Sequence, residues 1–110
     1  MKIINNSCVV PAVSWPAFAV VDVDEARSLI GVELLCDAER RAPFFDDVAL
    51  LASDQGFAVS VQPEDGVAYV RIKRAQVWAT ASTTAVVWGD ERGRIALLDI
   101  DVEGASMVAV

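Results

Sequence analysis

An eleven-residue pattern occurs twice in this chain and constrains the fold more than any other feature. Residues 19–29, Ala-Val-Val-Asp-Val-Asp-Glu-Ala-Arg-Ser-Leu, lie without a gap over residues 85–95, Ala-Val-Val-Trp-Gly-Asp-Glu-Arg-Gly-Arg-Ile. Ala-Val-Val and Asp-Glu are identical in both copies. Each copy is an apolar run, an acidic turn with Arg, and a second apolar run ending in carboxylates. β-Branched runs separated by turn chemistry read as a β-hairpin, so a hairpin is the expected building unit.

A competing reading attaches to the first copy. Asp22-Val23-Asp24-Glu25 also has the form of a capping box, from which a helix could run to Arg40. Its apolar residues, Leu29, Ile30, Val32, Leu34 and Leu35, would wrap around such a helix, and Gly31 would sit in its middle. Gly93 and the β-rich flanks of the second copy favour the hairpin, with Phe18 to Val23 and Leu29 to Cys36 as its strands.

The remaining segments follow the same logic. Residues 2–10 read as an edge strand or an extended arm. Pro11 and Pro16 bound an expected loop carrying Trp15, because proline cannot donate to a central ladder. The spacing of Phe44, Val48, Leu51 and Gln55 predicts a helix over 43–55. Pro43 would stand at its first position, Asp46 and Asp47 in its first turn, and Gly56 at its end. Phe57 to Val61, the Pro63-Glu64-Asp65-Gly66 turn and Val67 to Lys73 form a further hairpin. Gln76 to Ala81 reads as a strand and Ser82-Thr83 as a turn or bend. Thr84 to Trp88 and Arg94 to Val102 form the second repeated hairpin, and residues 107–110 offer an edge strand or an oligomer contact. The expectation is a single α+β domain over 1–110: an antiparallel sheet of about six or seven strands with one helix on one face. Arg71 and Lys73 would oppose Asp99, Asp101 and Glu103 if their strands are neighbours.

Composition sets outer bounds on function. The 110 residues are long enough for a real core, and 55% of them are hydrophobic, which excludes a disordered acidic tail. The net charge is −7, with no basic footprint for a nucleic-acid backbone, so direct nucleic-acid binding is not expected. The acidity serves solubility or a basic protein partner. Cys8 and Cys36 form no metal or redox spacing and read as buried thiols, a single bridge between them remaining open. Lys2 and the apolar stretch to Val21 faintly resemble a signal peptide, but Pro11, Ser14, Trp15 and Pro16 interrupt it. No run is long enough to span a membrane, and a cytoplasmic protein is expected.

The chain has no histidine, which removes Ser-His and Cys-His nucleophilic pairs and imidazole metal sites. Phosphate-loop, dinucleotide and calcium-loop patterns are also missing from the sequence. Carboxylates at i, i+2 spacing remain: Asp22 with Asp24, and Asp99 with Asp101 and Glu103. They could hold a hard cation or raise one another's pKa, though one wet sheet face accounts for the same pattern. Arg40-Arg41 reads as a solvated loop, with contact to an acidic group as its alternative. Trp78 reads as core filling, whereas Trp15 and Trp88 could equally be binding anchors.

The expected function is a non-enzymatic protein-binding module. A small acidic inhibitor, immunity or accessory protein fits, including a phage or mobile-element inhibitor of a nucleic-acid enzyme, whose channel would be basic. The expected contact residues are Trp15, Trp88, Asp90, Glu91, Asp99, Asp101 and Glu103. No cofactor, metal or catalytic residue is assigned. One alternative is a small-molecule site or small enzyme, with a pocket between the helix and the sheet lined by Phe44, Phe45, Tyr69 and the tryptophans. The other is a self-assembling structural protein, such as a homodimer.

Overall fold

The structure, a computed structural model, describes residues 1–35, 41–92, 94–102, 105 and 107–109. Its strands are β1 (Lys2–Asn5), β2 (Val13–Val23), β3 (Leu29–Leu35), β4 (Ala58–Gln62), β5 (Val67–Arg71), β6 (Ala79–Gly89), β7 (Ile95–Ile100) and β8 (Val108–Ala109). One helix, α1 (Arg41–Asp54), lies between β3 and β4. All strands join one antiparallel sheet in the order β1-β7-β6-β2-β3-β5-β4, with β8 added on β6. The α+β architecture read from the sequence is the one observed.

Helix α1 touches β4 and β5 at one end of the sheet and β1 and β7 at the other. The sheet therefore curls, with α1 against its concave side. Phe44, Phe45, Val48 and Ala52 of α1 are buried, and the two phenyl rings meet edge-on at 5.5 Å. They pack with Val21, Val32, Leu34, Val70, Val87, Leu98 and Ile100 from the strands. Each such side chain contributes roughly 1.5–3 kcal/mol on leaving water. Two polar contacts fix the helix and the residue after it to the β1–β7 edge of the sheet. Gln55 Nε2 donates to Ile3 O at 2.9 Å, and Asp47 Oδ2 accepts the Ile95 amide hydrogen at 2.8 Å. Gly56 ends the helix region with a φ of +84°, as its position predicts.

The repeated hairpins are β2–β3 and β6–β7, and their equivalence is close. Ala19 corresponds to Ala85, an offset of 66 residues. At that offset the registers coincide: Val21 faces Val32 in one hairpin, and Val87 faces Leu98 in the other. The register shift also recurs, between Asp22 and Val23 and between Trp88 and Gly89. The turns are closed alike. Asp24 Oδ1 accepts the amide hydrogens of Ala26 and Ser28 at 3.0 and 2.9 Å. Asp90 Oδ1 accepts those of Arg92 and Arg94 at 2.9 and 3.0 Å. This is why Asp is one of the few residues kept in both copies: a short carboxylate can satisfy its own turn's amides.

The duplication extends beyond the hairpins. Asn6 N donates to Ala96 O at 2.7 Å, and Ile72 N donates to Ile30 O at 2.7 Å, which is the same bond displaced by 66 residues with the copies exchanged. Strand β1 therefore stands to β7 as β5 stands to β3. The chain is two three-stranded units, β1-β2-β3 and β5-β6-β7, each of which lays its first strand against the last strand of the other. Their middle strands pair antiparallel with Phe18 facing Thr84, its own counterpart, so a local two-fold axis passes through that pair.

Several local expectations are corrected. Residues 11–16 are not a loop carrying Trp15: β2 starts at Val13, and Pro16 pairs with Val86 inside a central strand. Val23 O accepts from Trp78 on the β6 side, and Asp24 N donates to Ser28 on the β3 side. Alternation then points the Pro16 nitrogen away from β6 and toward the β3 side, where Phe18–Leu35 is the outermost pair among the described residues. Ser82-Thr83 lies in the middle of β6, and Gln76 to Trp78 is not strand, because β6 must match the full length of β2. Helix α1 begins at Arg41, so Asp46 and Asp47 lie beyond its first turn, and Arg41 is helical. Arg71 and Lys73 do not face Asp99 and Asp101, since β3, β2 and β6 separate β5 from β7. Cys8 is an exposed free thiol and not a buried one, and Trp78 is 39% exposed and not core filling. Cys36, Arg40 and Glu103 lie outside the described residues.

Candidate protein interface on the convex sheet face

In β2 the odd residues 19, 21 and 23 turn into the core, so the even ones face out, and β6 alternates in the same way. The convex face of β3, β2, β6 and β7 therefore presents Asp22, Glu33, Leu35, Phe18, Val20, Val86, Trp88, Asp99 and Asp101. Its apolar members are unusually bare. Phe18 is 75% exposed, Trp88 41%, Val86 39% and Leu35 37%. Phe18 pairs with Leu35 across β2 and β3, and Val86 with Pro16 across β6 and β2, so the apolar surface is continuous. A connected patch of this kind on a sheet face is the usual mark of an interaction surface.

The charged side chains of these four strands are all acidic, while the Met1 amino group on Asp99 and Arg71 of β5, the register partner of Gly31, border them with positive charge. None of Val13–Val23, Leu29–Leu35, Ala79–Gly89 or Ile95–Ile100 contains Lys or Arg. Asp22 Oδ2 accepts from Tyr69 Oη at 3.1 Å, and the Met1 amino group donates to Asp99 Oδ1 at 2.9 Å. Desolvation, and then the hydrogen bond to Asp22, raise the Tyr69 phenol above its ordinary pKa. At the end of the first hairpin, Lys73 Nζ meets Asp24 Oδ2 at 2.6 Å. That hydrogen bond and the one from Ser28 N hold the Asp24 carboxyl below its ordinary pKa.

The residues expected to make contacts divide as follows. Trp88, Asp99 and Asp101 share the convex face. Glu91 is exposed at the adjoining turn, whereas the Asp90 carboxylate is engaged in closing that turn. Trp15 points to the other side of β2, half-buried, with its ring against Gly89. Phe18, Val20, Val86, Leu35 and Glu33 were not singled out by sequence. The signal for them is the parity of their strands: Asp22 marks the wet positions of β2, and Thr80, Ser82 and Thr84 mark those of β6.

Other chemistry is sparse among the described residues. No group of three or more His, Cys, Asp or Glu residues could hold a metal ion, and no helix is long and apolar enough to cross a membrane. Phe44 and Phe45 are buried against the sheet while Tyr69 stands on the convex side, so these three do not line one space. An open cavity of about 540 Å³ lies at the end of the first hairpin, between Asp24–Ala26 and residues 75–78. Comparison with known proteins gave no match: no family model, no curated protein and no solved structure is significantly similar to this chain.

Proposed function

We propose that the protein is a non-enzymatic binding module, an inhibitor, immunity or accessory protein, that docks a basic protein partner on its convex sheet face. The observation that carries this reading is the exposure of Phe18, at 75%, inside a continuous apolar patch bordered by carboxylates. Interfaces place aromatic anchors at the centre of a polar rim, and Phe18 and Trp88 stand in that relation to Asp22, Glu33, Asp99 and Asp101. A second copy is a poor occupant. Stacked face to face, two chains would set four carboxylates against like charge, on a molecule already at −7.

The test is retention of a partner from lysate of the native host by tagged wild type, Phe18→Asp and the double variant Asp99→Lys/Asp101→Lys. A protein held by wild type and lost by both variants, each with unchanged circular dichroism, supports the reading. Equal retention by all three removes this face from the function.

A further inference from the structure

We infer that the convex face docks on a two-fold axis of its partner, so that one chain of this protein binds one symmetric pair of basic elements. The inference rests on the proposed binding face and adds the symmetry and spacing of what it takes. The local two-fold axis of the fold emerges on this face at Phe18 and Thr84. Around it the outward residues of the two units can be compared position by position. Val20 and Val86 are counterparts, as are Glu33 and Asp99, and in each unit the valine is the register partner of the acid. Other outward counterparts have diverged outright: Asp22 with Trp88, Gly31 with Leu97, Leu35 with Asp101. Core packing does not ask for an outward valine or an outward carboxylate. Yet both stand at equivalent places in both units, while their neighbours differ.

The surface that results is a carboxylate, a valine, a central phenylalanine, a valine and a carboxylate, arranged diagonally across β3, β2, β6 and β7. Three strand spacings across and four residues along put Glu33 and Asp99 roughly 20 Å apart. Phe18 projects midway, and Lys and Arg are missing from all four strands. Charge complementarity then specifies the occupant: two cationic side chains about 20 Å apart, related by a dyad, around an apolar centre. A homodimeric basic protein presents that arrangement at its own axis, and each half of it meets one valine and one carboxylate on this face.

The probe is a two-armed peptide, two acetyl-Arg-Gly-Leu arms joined at their C-termini through ethylenediamine, with acetyl-Arg-Gly-Leu methylamide as its one-armed control. Extended, the two guanidinium-bearing residues of the probe are about 20 Å apart. Binding is followed by amide chemical shifts of the labelled protein. The two-armed probe is expected to bind at least tenfold more tightly than the control, shifting residues of both units around Phe18. Glu33→Gln and Asp99→Asn are each expected to weaken it about threefold, and together to reduce it to the one-armed affinity. Asp99 also holds the Met1 amino group, so each variant is first shown to keep the wild-type urea midpoint within experimental error.

Equal affinity of the two probes, or an effect of only one of the two substitutions, overturns the dyad while leaving the face as a one-sided docking surface. Binding without any shift around Phe18, or no binding of either probe at millimolar concentration, overturns the face and the dyad together.

Discussion

The Tyr69 hydroxyl donates to Asp22 Oδ2 at 3.1 Å, and the tyrosine ring lies where a side chain on Gly31 would have to go. Gly31 is the register partner of both Asp22 and Arg71, so the ring crosses the sheet diagonally over a residue that offers it no obstacle. The positions 66 residues away carry Trp88, Leu97 and Ile3, and Ile3 falls at the register shift between β1 and β7 and is buried in the core. Gly31→Ala is expected to displace the ring and destabilise the fold by about 1–3 kcal/mol, read from urea denaturation. In a Tyr69→Ala background the same substitution is expected to cost less than half as much. An undiminished cost there means that the strain lies elsewhere.

Tyr69 is the only tyrosine, so phenolate absorbance reports it alone. Its pKa is raised by desolvation first and by Asp22 second. The folded state therefore keeps a proton that the unfolded chain releases near pH 10, and its contribution to stability declines as pH rises above that value. The titration midpoint is expected above that of free tyrosine, and Asp22→Asn is expected to lower it. A midpoint unmoved by Asp22→Asn shows that the carboxylate is not the partner.

Asp24 has the opposite sign. Lys73 first, and the Ser28 amide second, favour its ionised form and lower its pKa. Its contribution is therefore present above the unfolded value near pH 4 and is lost as pH falls through the folded value. The gap in urea midpoint between wild type and Asp24→Asn is expected to be largest at neutral pH and to close in acid. A gap independent of pH assigns the effect to turn geometry alone.

Arg27 occupies the turn at a φ of 62°, and the sequence position equivalent to it in the second copy is Gly93. A side chain in the left-handed region costs roughly 1–2 kcal/mol, part of which glycine gives back in unfolded-state entropy. Arg27→Gly is expected to stabilise the protein by about 0.5 kcal/mol, measured as an upward shift of the denaturation midpoint. Destabilisation indicates that the Arg27 side chain makes a contribution larger than the backbone strain.

Asp47 joins α1 to the start of β7 through the Ile95 amide. A partly buried hydrogen bond to a charged acceptor contributes about 1.5–3 kcal/mol. Asp47→Ala is expected to cost about 2 kcal/mol and to raise the hydrogen-exchange rate of the Ile95 amide selectively. Phe18→Ser, by contrast, changes a side chain that is 75% exposed and is expected to stay within about 0.5 kcal/mol of wild type.

Much of this architecture was legible because it is written locally. The strand alternation of Leu98, Ile100 and Val102 against Asp99 and Asp101 depends on neighbours a few residues away, and so does the 4-3-4 spacing of Phe44, Val48 and Leu51. The Asp that closes each hairpin turn is local too, and Gly93 with the β-rich flanks of the second copy is what pointed to hairpins and not to a helix after Asp24. The loop expected around Trp15 failed for a non-local reason. A proline is excluded from a strand only where its nitrogen must donate, and the side of β2 on which β6 pairs is not written near Pro16.

The candidate face lies at the boundary between the two kinds of information. That Phe18 shares a parity with Asp22, and Val86 with Thr84, is contained in the chain order. That these residues meet around one axis is not. It follows from the pairing of β2 with β6, more than sixty residues apart, and from the exchange of β1 and β5 between the two units. Sequence alone determined the helix, the two repeated hairpin turns and the inward parity of the strands it found, because periodicity is set by backbone geometry within a strand or helix; the full lengths of β2 and β6 were not among them. Only the tertiary structure decided strand order, the axis and the bare apolar centre, because these depend on which distant edges bury the most surface together.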